Sequence, residues 1–204
     1  LGNKFLSHIR EVDAIIYVIR LFQDENVSHI EGSINPIRDI EIIETELLLK
    51  DILSLEKQLN KIEKLSKSGD KESKVIFGIL QKILPEMNNG ISINNILLSE
   101  EEKEQIKYLS FLTKKPVFYL ANTDEEEMLE ITDTSNIQLL KQHAEKNKSV
   151  VLKVCGNLEQ EISLLAEEEK AQYLNEFNLS EPGLNRLIQL AYELLGLKTF
   201  FTAG

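Results

Sequence analysis

Two periods of hydrophobicity alternate along this chain. Ala14-Ile15-Ile16-Tyr17-Val18-Ile19, Val117-Phe118-Tyr119-Leu120-Ala121 and Val150-Val151-Leu152-Lys153-Val154 are short, nearly continuous apolar runs rich in β-branched and aromatic residues. Such runs predict buried strands, covered on both faces. Elsewhere the spacing is helical. Phe5, Leu6 and Ile9 form one apolar stripe; Asn136 to Asn147 forms a second helix; Leu158 to Phe177 forms a third stretch with a break near Ala166. Leu184, Leu187, Ile188, Ala191 and Leu195 define a last helix, preceded by Pro182-Gly183 and stopped at Gly196. Strand and helix in alternation predict an α/β fold with a mostly parallel sheet and flanking helices.

One long stretch interrupts that order. Leu48, Ile52, Leu55, Leu59 and Ile62 recur at alternating spacings of four and three within a helix predicted from Ile37 to Leu65. Ser68-Gly69-Asp70 breaks it, and a second helix with Ile76, Leu80 and Ile83 on one face follows, closed at Pro85. Each helix needs the other to cover its apolar stripe, so the pair is predicted to be an antiparallel hairpin projecting from the α/β body. Asn88 to Leu98 is irregular. Ser99-x-x-Glu102 then matches a capping box, and Ile106, Leu109 and Leu112 predict the helix that returns the chain to the sheet. Asp24 to Asn35 reads as a loop, and Phe200-Phe201-Thr202-Ala203-Gly204 as a strand running into a turn. The domain reading is therefore an α/β domain from residues 1–35 and 99–204, with residues 36–98 inserted as a helical hairpin.

Composition narrows the chemistry. With 204 residues, 42% hydrophobic and 28% charged, the chain can bury one domain core and an insertion. A net charge of -11 excludes a surface that clings to nucleic acid throughout, while leaving room for a local basic patch. No apolar run approaches the roughly 18 residues of a membrane span, no export signal opens the chain, and one cysteine, Cys155, excludes an internal disulfide framework. These features point to the cytoplasm. His8, His29 and His143 are too scattered for a ligand set and read as surface or core residues, so no metal site is expected here. The first residue is Leu1, and the expectation is a piece of a longer polypeptide.

The second apolar run ends abruptly in Asn122-Thr123-Asp124-Glu125. In open α/β sheets ligands bind beyond the carboxyl ends of the strands, so this segment is placed to touch one, although Asn, Thr and Asp are also ordinary turn residues. The sequence contains no G-x-x-x-x-G-K-[ST] and no G-x-G-x-x-G, hence no backbone cradle for phosphates. A base is another matter. An Asn amide offers donor and acceptor to the Hoogsteen edge of a purine, and a carboxylate accepts. In the GTPase pattern Asn-Lys-x-Asp the Asp pairs with the two N–H groups of guanine. Here Thr123 takes the Lys position and Glu125 the acid position, one methylene and about 1.5 Å longer, which weakens the preference for guanine. Val154-Cys155-Gly156, ending the next strand, lies where a second base-contacting loop would be. Cys155 itself has no activating neighbour in sequence and reads as a small apolar residue.

The hairpin tip sets Lys57, Lys61, Lys64, Lys67, Lys71 and Lys74 against Glu56, Glu63, Asp70 and Glu72. Mixed charge is the ordinary face of a solvated helix. Read functionally, Lys61, Lys64, Lys67 and Lys71 form a modestly basic probe for RNA or a ribosomal partner.

Several runs together carry a resemblance: Gly2-Asn3-Lys4-Phe5-Leu6, Asn35-Pro36-Ile37-Arg38-Asp39-Ile40-Glu41, Leu109-Ser110-Phe111-Leu112-Thr113, Glu181-Pro182-Gly183-Leu184 and Phe200-Phe201-Thr202-Ala203-Gly204. In that order, and over essentially the whole chain, it resembles the YchF/Obg-like ATPase family of P-loop proteins. The resemblance implies part of a Ras-like nucleotide domain with an inserted antiparallel helical coiled-coil hairpin. It also implies an N-terminal P-loop and Mg-binding segment and a C-terminal TGS domain, neither within these residues. It assigns the base contact to Asn122, Thr123 and Glu125, beside the second loop read above at Cys155 and Gly156, and it assigns no hydrolytic residue to this chain. ATP or GTP with Mg is the implied cofactor of the full-length parent, and the ribosome or RNA the implied partner. The alternative is a non-catalytic helical module that binds RNA or a ribosomal partner.

Overall fold

The computed structural model describes residues 2–23 and 34–201. Three strands, β1 (Ile15–Arg20), β2 (Val117–Asn122) and β3 (Val151–Val154), form one sheet in the order β1-β2-β3. Both pairings are parallel, with Ile15 opposite Val117, Arg20 opposite Asn122, and Asn122 opposite Val154. The α/β class, the parallel sheet and the packed pair of long helices are those read from the periodicity. The helices in chain order are α1 (Asn3–Glu11), α2 (Pro36–Lys67), α3 (Lys71–Asn88), α4 (Glu100–Gln105), α5 (Glu125–Leu129), α6 (Ser135–Lys146), α7 (Gly156–Leu164), α8 (Glu167–Glu176) and α9 (Gly183–Leu194). The chain forms two compact units, Leu1–Val12 with Glu41–Lys115, and Asp13–Ile40 with Pro116–Gly204.

In the first unit α2 and α3 share one apolar seam. Ile52, Leu55 and Ile62 of α2 pack with Ile76, Ile79, Leu80, Ile83 and Met87 of α3, and Leu48 and Leu59 flank them. The turn between the helices is closed by Asp70, whose carboxylate accepts the Ser73 N–H at 2.8 Å as the N-cap of α3. Two sequence expectations change here. The second helix, predicted to close at Pro85, runs on to Asn88 as α3. A proline costs one amide donor and crowds the preceding turn, but the buried Met87 draws the last turn into the core. The carbonyls of Pro85, Glu86 and Met87 are then met by Asn89 and Gly90 N–H groups. The helix predicted through Ile106, Leu109 and Leu112 ends at Gln105, though all three residues are buried. Beyond it the chain makes a short 3-10 turn, Leu112–Lys114. The fully buried Asp51 of α2 accepts the N–H groups of Leu112 and Thr113 and the Thr113 hydroxyl, each at 2.8 Å. Those amides answer a side chain instead of helical carbonyls.

In the second unit Tyr17 stacks on Tyr119 with ring centroids 5.6 Å apart, and Tyr119 meets the edge of His143 from α6 at 5.5 Å. This face of the sheet is covered, and on the opposite face Phe118 and Leu152 are buried as well. The expectation that the first strand is covered on both faces does not hold among the described residues: Tyr17 and Ile19 are buried, while Ile16 is 37% and Val18 62% exposed. β1 is an edge strand with one neighbour among the described residues. The acidic run Asp124 to Glu127 is the N-cap and first turn of α5, where carboxylates face the positive end of the helix. Leu165 and Ala166 separate α7 from α8, at the predicted break. Phe200 and Phe201 belong to no strand and are exposed, with no sheet neighbour among the described residues to supply a ladder. The predicted loop over residues 24–33 and turn over residues 202–204 lie outside the described residues.

Candidate functional site

Parallel register brings two loops side by side, because Asn122 ends β2 directly opposite Val154 at the end of β3. Both loops therefore open at the carboxyl edge of the sheet, where ligands of open α/β folds sit. Thr123 is buried and holds this edge together: its N–H and its hydroxyl both donate to the Val154 carbonyl, at 2.8 and 3.1 Å. What Thr123 still offers a ligand is its own carbonyl oxygen.

Asn122 is half-buried, and its Oδ1 accepts the Gly156 N–H at 3.1 Å. A backbone N–H can only meet an acceptor, so the oxygen of the amide must face this loop. Its Nδ2 hydrogens have no partner among the described residues. Glu125, the first residue of α5, is exposed and its carboxylate is also unpaired among them. Asp124 does the capping instead, accepting the Glu127 N–H at 2.9 Å. Cys155 points its thiol into a cluster with Met128, Leu158, Ile162 and Leu174, so only its backbone belongs to the loop. A Cβ at Gly156 would stand 3.4 Å from Asn122 Oδ1, which is ordinary contact. The sequence-predicted residues Asn122, Thr123, Glu125, Cys155 and Gly156 thus lie on two adjoining loops.

Sequence reasoning missed the support behind these loops. Glu159, in the first turn of α7, accepts the Gly183 N–H at 2.6 Å and the Leu184 N–H at 3.2 Å, joining α7 to the start of α9. Gly183 is required by that approach, since a Cβ there would lie 2.7 Å from Glu159 Oε1 and 2.9 Å from Val154 Cγ1. The run Pro182-Gly183-Leu184 is visible in the sequence, but nothing local marks its partner. Nearby, the Tyr173 hydroxyl donates to Glu161, and that bond, with the surrounding carboxylates, pushes its pKa up to about 12.

The lysines divide. Lys61, Lys64, Lys67 and Lys71 are all exposed. Lys67 pairs with Glu63 at 2.7 Å. Lys57, Lys61 and Lys64 carry no ion pair among the described residues and line one groove of α2 with Asn60 and Leu65. Lys57, Lys61 and Lys64 thus form a stripe along one face of α2, and Lys71, at the start of α3, likewise carries no ion pair among the described residues.

No protein-family model matches the chain. Over its full 204 residues it is 43% identical to "Ribosome-binding ATPase YchF" of Escherichia coli O157:H7 and covers 55% of that protein. It is 41% identical to the protein of the same name from Bacillus subtilis (strain 168), covering 56% of it. Among solved structures, that of the Schizosaccharomyces pombe YchF GTPase superposes with a TM-score of 0.87 at 33% identity, covering all of this chain and 56% of that one. The chain spans about half the length of the relatives it matches.

Proposed function

We propose, because this chain belongs to the YchF family along its whole length, that it is the base-recognition half and helical insert of a ribosome-associated nucleoside triphosphatase. The observation that supports this most is the Asn122 amide, held by Gly156 through its oxygen so that its nitrogen is left to donate. That donor suits N7 of a purine, the acceptor adenine and guanine share. The Thr123 carbonyl and the Glu125 carboxylate can each accept from an exocyclic amino group, and neither demands the paired N–H groups of guanine. The residues present therefore fit a purine ring. The phosphates and Mg are assigned to residues outside this sequence, and so is hydrolysis. No described helix is long and apolar enough to cross a membrane.

In the full-length protein, Asn122→Ala should weaken ATP and GTP alike, by about tenfold, the worth of one good hydrogen bond. Calorimetric titration checks this; a wild-type protein that prefers guanosine nucleotides by more than about tenfold would overturn the reading of Glu125. The 204-residue chain alone should not sustain hydrolysis of either nucleotide.

A second reading, an interaction surface for RNA, is favoured by the unpaired stripe of Lys57, Lys61 and Lys64 on an otherwise acidic molecule. Replacing all three by Glu should lower RNA or ribosome affinity in low salt and reduce the salt slope by about 0.9 for each phosphate no longer neutralised. An unaltered slope would leave them as solvated charges.

A further inference from the structure

We propose that Glu159 is a positioning residue for the purine base, acting through Gly156 and Asn122; the proposal rests on the base-site reading above. Three contacts in series carry it. The Glu159 carboxylate meets the first two N–H groups of α9, at 2.6 and 3.2 Å, which helix geometry leaves without intrahelical partners. The Glu159 N–H donates to the Cys155 carbonyl at 3.0 Å, so its backbone lies one turn from Gly156. The Gly156 N–H then holds Asn122 Oδ1 at 3.1 Å. α9 is a twelve-residue helix whose start presses on Val154, and it is the fixed end of the series.

The series acts on the orientation of one amide, not on the fold of the sheet. Thr123 and Val154 tie the ends of β2 and β3 together without any help from Glu159, so the Asn122 backbone stays where it is when Glu159 is changed. What is lost is the hold on the first turn of α7. Once the Gly156 N–H drifts, nothing distinguishes the two flips of the Asn122 amide, and only one of them points a donor at N7. The effect therefore falls on the base and spares the phosphates. Glu159 touches no ligand atom in this scheme.

The test compares Glu159→Ala, which loses both acceptors, with Glu159→Gln, which keeps one and turns an NH2 group toward the other amide. In the 204-residue chain, hydrogen exchange at the Gly156 amide should quicken about tenfold in Glu159→Ala while the Thr123 amide is unchanged. In the full-length protein the affinity for ATP should fall about tenfold in Glu159→Ala and less in Glu159→Gln, while the affinity for Mg-tripolyphosphate, which has no base, stays within about twofold. Equal weakening of both ligands, or unchanged exchange at Gly156, overturns the proposal. If Asn122→Ala weakens ATP and Glu159→Ala does not, the role of Glu159 fails alone. If Asn122→Ala has no effect, the base-site reading fails and this inference with it.

Discussion

Gly183→Ala should destabilise the protein by about 1–3 kcal/mol, the cost of overpacking, lowering Tm by roughly 3–10 °C for a chain of this size. The sign is the informative part. Alanine in a helix ordinarily gains up to about 1 kcal/mol over glycine. At Gly183 the added methyl would lie 2.7 Å from a carboxylate oxygen and 2.9 Å from Val154 Cγ1, a β-branched side chain of β3. Gly78 is the internal control. It sits within α3, is exposed, and a Cβ there would meet nothing within 4 Å. Gly78→Ala should therefore stabilise by about 0.5–1 kcal/mol. Thermal melts of the two single variants that moved in the same direction would contradict the close approach at Gly183.

The second large effect belongs to Asp51. Its carboxylate is fully buried and answers two backbone amides and a hydroxyl across the first unit. Asp51→Ala would strand the Leu112 and Thr113 N–H groups in the core at about 1–3 kcal/mol each, so a total of about 3 kcal/mol or more is expected. Asp51→Asn keeps the volume but presents an NH2 to an N–H, and should lose part of the same amount. Burial pushes the carboxyl pKa up, against the opposing pull of the Thr113 and Leu112 donors and of Arg10. The folded state then holds the proton more tightly than the unfolded chain. The stability of the wild type relative to Asp51→Asn should be greatest below the ordinary value of 3.8 and decline as pH rises through the folded value. Denaturant melts at several pH values would show it; a difference that grew with pH would refute the assignment.

Glu159 and Asp51 have the same logic. Each is an acidic residue on a helix whose carboxylate satisfies backbone amides far away in sequence, and each explains a motif that periodicity could not. Leu109-Ser110-Phe111-Leu112-Thr113 looks helical because its apolar residues are spaced for burial. Its amides are nevertheless claimed by Asp51, and the segment becomes turns and a 3-10 turn. Pro182-Gly183-Leu184 looks like a helix start, and is one, but the reason for glycine lies in a side chain of α7. The candidate base residues were legible by contrast, because strand ends and their polar followers are local features and parallel pairing brings successive ends to one edge.

Periodicity alone was enough for the α/β class, the parallel order, the paired long helices and the break between α7 and α8, since each depends on which residues within one segment can be buried together. It was also enough to single out Asn122 and Glu125 as followers of a buried strand. Only the tertiary structure decided that the face of β1 bearing Ile16 and Val18 is exposed, that α3 continues past Pro85, that Asn122 Oδ1 accepts the Gly156 N–H, and that Glu159 accepts the Gly183 N–H at the start of α9. These are contacts between segments distant in the chain, and a hydrogen bond between two such segments leaves no period in either one.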